Sequence, residues 1–154
     1  MKDYELILFD LGGVLIDIDY QATERAFIEL GVEDFAHQYT QFSQSDLFDL
    51  FETGQISTQH FINKLLPITR PGTTPNQVYA AWNAMLGQFP ADKIDFITEL
   101  STQTPLYMLS NTNAIHWGVV LDRWKQASSQ PLSSFFKRIF LSHEIEQRKP
   151  HPET

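Results

Sequence analysis

An unbroken apolar run, Leu6-Ile7-Leu8-Phe9, stops at Asp10 and is followed by Gly12-Gly13. A half-exposed strand alternates apolar and polar residues, so an uninterrupted run of this kind reads as a parallel strand covered on both faces. Two further runs have the same character. Leu106-Tyr107-Met108-Leu109 is entered by Pro105 and closed by Ser110-Asn111-Thr112-Asn113, and Ile139-Phe140-Leu141 is closed by Ser142. Each stops at polar or small residues, and in open α/β sheets the crevice beyond the carboxyl ends of the strands is where ligands bind. The expected fold class is α/β with a Rossmann-like parallel sheet.

Between the first two runs the periodicity is helical. Ala22, Ala26, Phe27 and Leu30 share one face, stopped at Gly31; Leu47, Phe48, Leu50 and Phe51 share another, stopped at Gly54. Ser57 caps a segment carrying Phe61, Ile62, Leu65 and Leu66. Thr74 before Pro75 is an N-cap with proline at the first helical position. It opens a helix with Val78, Trp82, Met85 and Leu86 on one side and Gly87 at its end. The expected division is therefore a sheet-bearing core of residues 1–16 and 89–154 with a helical insert of residues 17–88. Ile94, Ile97 and Leu100 lead back to the sheet, and a further helix starts near Asn113 with Ile115, Val119, Leu121 and Trp124.

Composition narrows the function classes. A chain of 154 residues can bury roughly 70% of its unfolded surface, and 42% hydrophobic content spread along its length argues against disorder. With no cysteine there is no disulfide, thiolate metal site or cysteine nucleophile. A formal charge of -8 opposes polyanions, so neither nucleic acid nor a membrane surface is an expected partner. The start, Met1 to Tyr4, lacks a signal-peptide pattern and no stretch reaches the ~18 apolar residues of a membrane span, so a cytoplasmic location is expected. Nothing specifies an oligomeric state.

Asp10 would project into the crevice at the end of a buried strand. Taken alone, Asp10 is a turn former, Ser110-Asn111-Thr112 a helix N-cap, and Lys149 before Pro150 a solvated loop lysine. Their order changes that reading. Apolar strand plus Asp10-Leu11-Gly12-Gly13-Val14, helical insert, apolar strand plus Ser110-Asn111-Thr112, then Arg148-Lys149-Pro150 resembles the haloacid dehalogenase (HAD) superfamily in three of its four motifs, from Leu6 to Glu153. The insert looks like that superfamily's small helical cap. Phe9-Asp10-Leu11-Gly12-Gly13-Val14-Leu15 with Asp17-Ile18-Asp19 and Leu109-Ser110-Asn111-Thr112-Asn113 is most similar to its bacterial sugar-phosphate phosphatases of the glucose-1-phosphate phosphatase type.

The resemblance implies a phosphatase acting on a small phosphorylated metabolite, with Asp10 as nucleophile. A carboxylate attacking phosphorus divides one hard hydrolysis into two easier steps, but it repels the phosphate. Mg²⁺ relieves that repulsion with oxygen ligands, here Asp10 and the Gly12 carbonyl. Ser110 and the N–H groups of Asn111 and Thr112 would hold phosphoryl oxygens. Lys149 would place a fixed positive charge beside Asp10. The five dispersed histidines make imidazole ligation improbable; His116 and His143 read as helix-start and loop residues. Trp82 and Met85 read as core of the insert, with Phe48, Phe51 and Trp117 as candidates for lining a substrate site.

Two departures from the family pattern stand out. The second Asp usually found two residues after the nucleophile is Gly12, which removes an acid and base worth on the order of 10²- to 10⁴-fold. Asp17 or Asp19 could substitute only if the turn folds back. The fourth motif, an acidic pair, would lie beyond Thr154; the expectation is a truncated chain continuing for roughly 50 residues, which as it stands could bind Mg²⁺ poorly and turn over nothing, with its nucleophile strand at a sheet edge. Gly12 also admits a metal-independent haloacid dehalogenase, and a non-catalytic binding or interaction module is the alternative of another class.

Overall fold

The computed structural model describes residues 4–35, 37, 39 and 46–152. Met1 to Asp3, which bear on targeting, lie outside them. Three strands, β1 (Ile7–Phe9), β2 (Leu106–Ser110) and β3 (Arg138–Leu141), form one parallel sheet in the order β1-β2-β3. Ile7 pairs with Leu106 and Phe9 with Met108, while Ser110 pairs with Leu141. Because every strand runs the same way, Asp10, Ser110 and Ser142 come out at one end of the sheet. This is the expected α/β, Rossmann-like architecture.

The helices are α1 (Tyr20–Glu29), α2 (Leu47–Glu52), α3 (Thr58–Leu65), α4 (Pro75–Asn83), α5 (Ala91–Ser101), α6 (Ala114–Ala127) and the single turn α7 (Ser142–Ile145). Their starts follow local chemistry. Asp19 accepts from the N–H groups of Gln21 and Ala22, Ser57 from His60, and Asn113 from His116, while Thr74 and Gln77 close a reciprocal capping box. No helix among the described residues is long and apolar enough to cross a membrane.

Two apolar clusters form. Leu15, Ile16, Ile97, Leu106, Met108, Trp124 and Leu132 are buried between the sheet and helices α5 and α6, and the Trp124 indole N–H donates to the Gln130 carbonyl at 2.7 Å. Within the insert, Phe27, Phe51, Phe61, Val78 and Trp82 make a second cluster, to which Ile115 of α6 belongs. Phe51 and Phe61 stack with centroids 4.1 Å apart, and Phe48 stacks on Trp82 at 5.5 Å.

Two expectations need correction. The first apolar run is not covered on both faces: Leu6 and Leu8 are 52% and 53% exposed. β1 is an edge strand, as expected for the strand that carries Asp10, and among the described residues nothing pairs with its outer side. Only Ile7 and Phe9 turn toward the core cluster. The helix opened by Thr74 ends at Asn83 rather than at Gly87, because the chain must return to the core there. Asp17 N–H donates to Gln88 O, Asp19 N–H to Met85 O, and Gly87 N–H to Asp17 O at 2.7 Å, so the outgoing and returning segments pair. A Cβ at Gly87 would lie 2.6 Å from that of Asp17. The Arg123 guanidinium donates to the carbonyls of Leu86 and Gly87, fixing the return.

Gly54, just past α2, has φ +71°, and a Cβ there would sit 2.2 Å from the His143 carbonyl. Gly72, with φ +88°, has nothing within 4 Å of such a Cβ. Gly54→Ala should therefore destabilise the fold by about 2 to 4 kcal/mol, summing backbone strain and overpacking, while Gly72→Ala costs about 1 to 2 from strain alone. Urea unfolding of the two variants checks this; equal losses would contradict it.

Candidate active site

Asp10 stands one residue past β1, where the chain turns sharply. The Leu11 carbonyl accepts from the N–H groups of Val14, Leu15 and Ile16, and Gly13 supplies the left-handed φ of +72°. This turn leaves the Asp10 carboxylate partly exposed, with Oδ1 accepting from Leu11 N–H at 2.7 Å. Its other oxygen, Oδ2, lies 2.9 Å from Nζ of Lys149. Gly12 has no steric need to be glycine: a Cβ there would meet only Ile18 at an ordinary 3.5 Å.

Lys149 is held by the loop after β2. Its Nζ also donates to the Leu109 carbonyl at 3.0 Å, and its backbone is clamped by Asn111. The Asn111 side chain accepts from Lys149 N–H at 2.8 Å and donates to Lys149 O at 2.9 Å. The expected Asn111 role as a backbone donor thus acquires a partner role for its side chain. Thr112 departs from expectation. Its N–H donates to Ser142 Oγ at 2.9 Å, and that hydroxyl donates back to Thr112 O at 2.7 Å. Its N–H is therefore already occupied. The N-cap of α6 is Asn113, so Ser110, the last residue of β2, and the following Asn111-Thr112 lead up to the cap without forming it.

The candidate residues divide between two cavities. Asp10 and Lys149 line a cavity of about 210 Å³ with Leu8, Phe9 and Leu109. Gly12, Ser110, Asn111 and Thr112 line one of about 230 Å³ that faces the insert. Its far wall is Tyr20, Tyr39, Glu52, Trp82 and Met85 of the insert, with Arg148 and His116 from the core. Phe48 and Phe51, considered as lining residues, are instead buried in the insert cluster, and Trp117 lines a separate cleft beside Trp124. Asp19 is also spent elsewhere: it caps α1, and Arg25, bonded to it at 2.6 Å, holds its carboxyl below the usual range.

Arg148, Ser142 and His116 are contributions that sequence reasoning did not foresee. Arg148 pairs with Asp49 and, at 3.1 Å, with Glu52 of α2, joining the Lys149 loop to the insert. Burial pushes the Glu52 carboxyl up, opposed by the Arg148 charge and reinforced by Asp49. Ser142 was visible only as a small residue after a strand. His116 could have been suspected from its spacing of three from the capping Asn113.

The His116 ring stacks on Trp82 at 5.4 Å, and Nε2 lies 3.1 Å from the Trp82 carbonyl. A carbonyl can only accept, so Nε2 carries the proton and Nδ1 accepts from the Asn113 amide at 3.2 Å. Burial lowers its pKa from 6.5 to about 4. A base whose pKa falls on folding contributes stability above the unfolded value that is lost as pH drops from 6.5 toward 4. Unfolding free energy should thus fall by about 2 kcal/mol from pH 7 to pH 5 on this account. His116→Gln should remove most of that slope. An unchanged slope in the variant would contradict the assignment.

Comparison with known proteins gives the following. No family model matches the chain. Over 147 residues it is 29% identical to D-ribitol-5-phosphate phosphatase of Bacteroides thetaiotaomicron, spanning 96% of this chain and 71% of that protein. A solved HAD family enzyme of the same organism, in complex with magnesium and inorganic phosphate, superposes with a TM-score of 0.89 at 30% identity, covering 98% of this chain and 75% of that one. A solved HAD-like family hydrolase of Porphyromonas gingivalis is 31% identical, with a TM-score of 0.81 over 97% of this chain and 71% of its own.

Proposed function

The chain belongs to the haloacid dehalogenase (HAD) family of hydrolases, and from that premise we propose that it acts as a Mg²⁺-dependent phosphatase on a small phosphate monoester, a sugar or polyol phosphate. The observation that carries the reading is the Asp10–Lys149 pair at the end of β1, braced by Asn111. The phosphatase name of one relative and the magnesium and phosphate in the solved enzyme support it. We take the helical insert as the cap over the site.

Asp10 Oδ attacks phosphorus, forming an aspartyl phosphate and breaking the bond to the leaving oxygen, which departs as an alkoxide and takes its proton from water; the resulting hydroxide then attacks the same phosphorus, breaking its bond to Oδ, releasing inorganic phosphate and restoring the carboxylate. Lys149 contributes charge along the path. Its ammonium is fixed by the Leu109 carbonyl as well as by Asp10, so it need not reorganise as negative charge gathers on the phosphoryl oxygens. Ser110, at the end of β2, donates to one of those oxygens together with the Asn111 N–H, giving up its 3.5 Å contact with the Asn111 carbonyl.

The donor set suits a hard cation in kind. Asp10 keeps a partly exposed carboxylate and Gly12 offers a backbone carbonyl, and Mg²⁺ commonly takes only one or two carboxylates with phosphate and water. Among the described residues no three acids or histidines gather as a larger cage. When bound, Mg²⁺ would supply neutralisation of the phosphate charge at Asp10.

With Mg²⁺ present, phosphate release from sugar and polyol phosphates should be measurable in the colorimetric phosphate assay. Asp10→Asn should lower kcat by at least about 10³-fold, the scale seen when a nucleophile is removed. Excess chelator should abolish turnover. Full activity in Asp10→Asn, or turnover that survives the chelator, would sink the proposal; the latter would favour metal-independent attack on carbon.

A further inference from the structure

We propose that Glu52, which reaches the insert-facing cavity from α2, is the acid and base of the reaction: it protonates the leaving oxygen and then takes a proton from the attacking water. The inference rests on the phosphatase reading and deepens it, because the two steps given above leave both proton transfers to water. An alkoxide leaves poorly without a proton, and a positioned acid is worth on the order of 10²- to 10⁴-fold. Gly12, two residues past the nucleophile, offers no such acid.

The direction of displacement sets where the proton is needed. Asp10 lines one cavity, whereas Ser110 and Asn111 line the other. A phosphoryl group held by Ser110 and the Asn111 N–H, and attacked by Asp10, expels its leaving oxygen roughly in line, away from Asp10. With the attacking carboxylate in the other cavity, that oxygen leaves into the insert-facing one. Among the described residues lining it, Glu52 is the only carboxyl group. Asp17 and Asp19 do not line it, and Asp19 is paired with Arg25. His116 does, but its Nε2 donates to the Trp82 carbonyl and its Nδ1 accepts from the Asn113 amide, so neither nitrogen is open. Tyr39 keeps its proton, because burial and then the Glu52 charge push its phenol up.

The surroundings of Glu52 suit both protonation states. Oε2 meets Arg148 at 3.1 Å, which holds the carboxyl in place, whereas Oε1 makes no hydrogen bond to any described residue and can carry the proton. Burial favours the protonated form; the Arg148 charge opposes this, and Asp49, which shares the guanidinium, reinforces it. The side chain is still 26% exposed, so water reaches it. In the first step the Glu52 proton passes to the leaving oxygen as its bond to phosphorus breaks and Asp10 Oδ bonds to phosphorus, and a neutral alcohol departs. In the second, water gives one proton to the Glu52 carboxylate while its oxygen bonds to phosphorus and the bond to Asp10 Oδ breaks. Inorganic phosphate departs, with Asp10 ionised and Glu52 protonated again.

The test is kcat/KM of the full chain with Mg²⁺ for phenyl phosphate and 4-nitrophenyl phosphate, two aryl esters of similar shape whose leaving groups differ in basicity. This parameter covers only the steps up to transfer onto Asp10. Nitrophenolate leaves readily without a proton, and phenolate does not. Glu52→Gln, which keeps the shape and an oxygen for Arg148, is expected to lower kcat/KM for phenyl phosphate at least about tenfold more than for 4-nitrophenyl phosphate. The unsubstituted chain gives a second reading that needs no variant: an acid at the leaving oxygen should keep the two esters within about 10²-fold of each other. A wider gap, or a loss in Glu52→Gln that is equal for both esters, as a mere tether to Arg148 would give, overturns the assignment. Release of phosphate from neither aryl ester overturns it too. If sugar and polyol phosphates are then inert as well, the phosphatase reading falls with it, whereas their turnover leaves that reading standing.

Discussion

The ammonium of Lys149 is the point on which the site depends. It reaches a chain carbonyl at the end of β2 and the carboxylate just past β1, and so ties two strand ends together. Exposed ion pairs contribute little stability, and Asp10 and Lys149 are both partly exposed. The pair matters for position and charge rather than for folding. What keeps it in place is the reciprocal bonding of Asn111 to the backbone of Lys149, across 38 residues, and the Ser142 hydroxyl that fastens the Thr112 loop to the end of β3. Each of the three loops is thus held by another.

The same segment couples the sheet to the insert. Arg148 immediately precedes Lys149 and engages Asp49 and Glu52 on α2, while Gly54 brings the chain against the His143 backbone. The paired crossing segments around Asp17 and Gly87 supply the covalent route between the two apolar clusters. His116 adds a contact from the start of α6, since its ring joins the Asn113 side chain to the Trp82 carbonyl of α4. The wall of the cavity is therefore set by the residues that also hold the loops.

Much of this was legible in the chain itself. The apolar runs gave strands at Ile7–Phe9, Leu106–Ser110 and Arg138–Leu141, because a parallel sheet imposes a continuous apolar signature. Ser57, Thr74 and Asn113 marked helix starts because capping is local chemistry. The failures are tertiary in origin. The apolar run alone reads as covered on both faces, because four residues do not encode their neighbours, whereas the edge position that exposes Leu8 was expected from the family pattern. The end of α4 is decided by the approach of Gly87 to Asp17, and the use of Thr112 N–H by Ser142 joins positions 30 residues apart. Arg148 finds Asp49 across 99 residues, a pairing no spacing rule reaches.

The account stands or falls on the carboxylate of Asp10 becoming phosphorylated. The direct measurement is acid quench of the chain during turnover of a phosphate monoester with Mg²⁺, borohydride reduction, and peptide mass spectrometry, since reduction of an aspartyl phosphate leaves homoserine. Homoserine at position 10, absent without substrate, is the predicted result. Phosphate release with Asp10 unmodified in every quenched sample would contradict it.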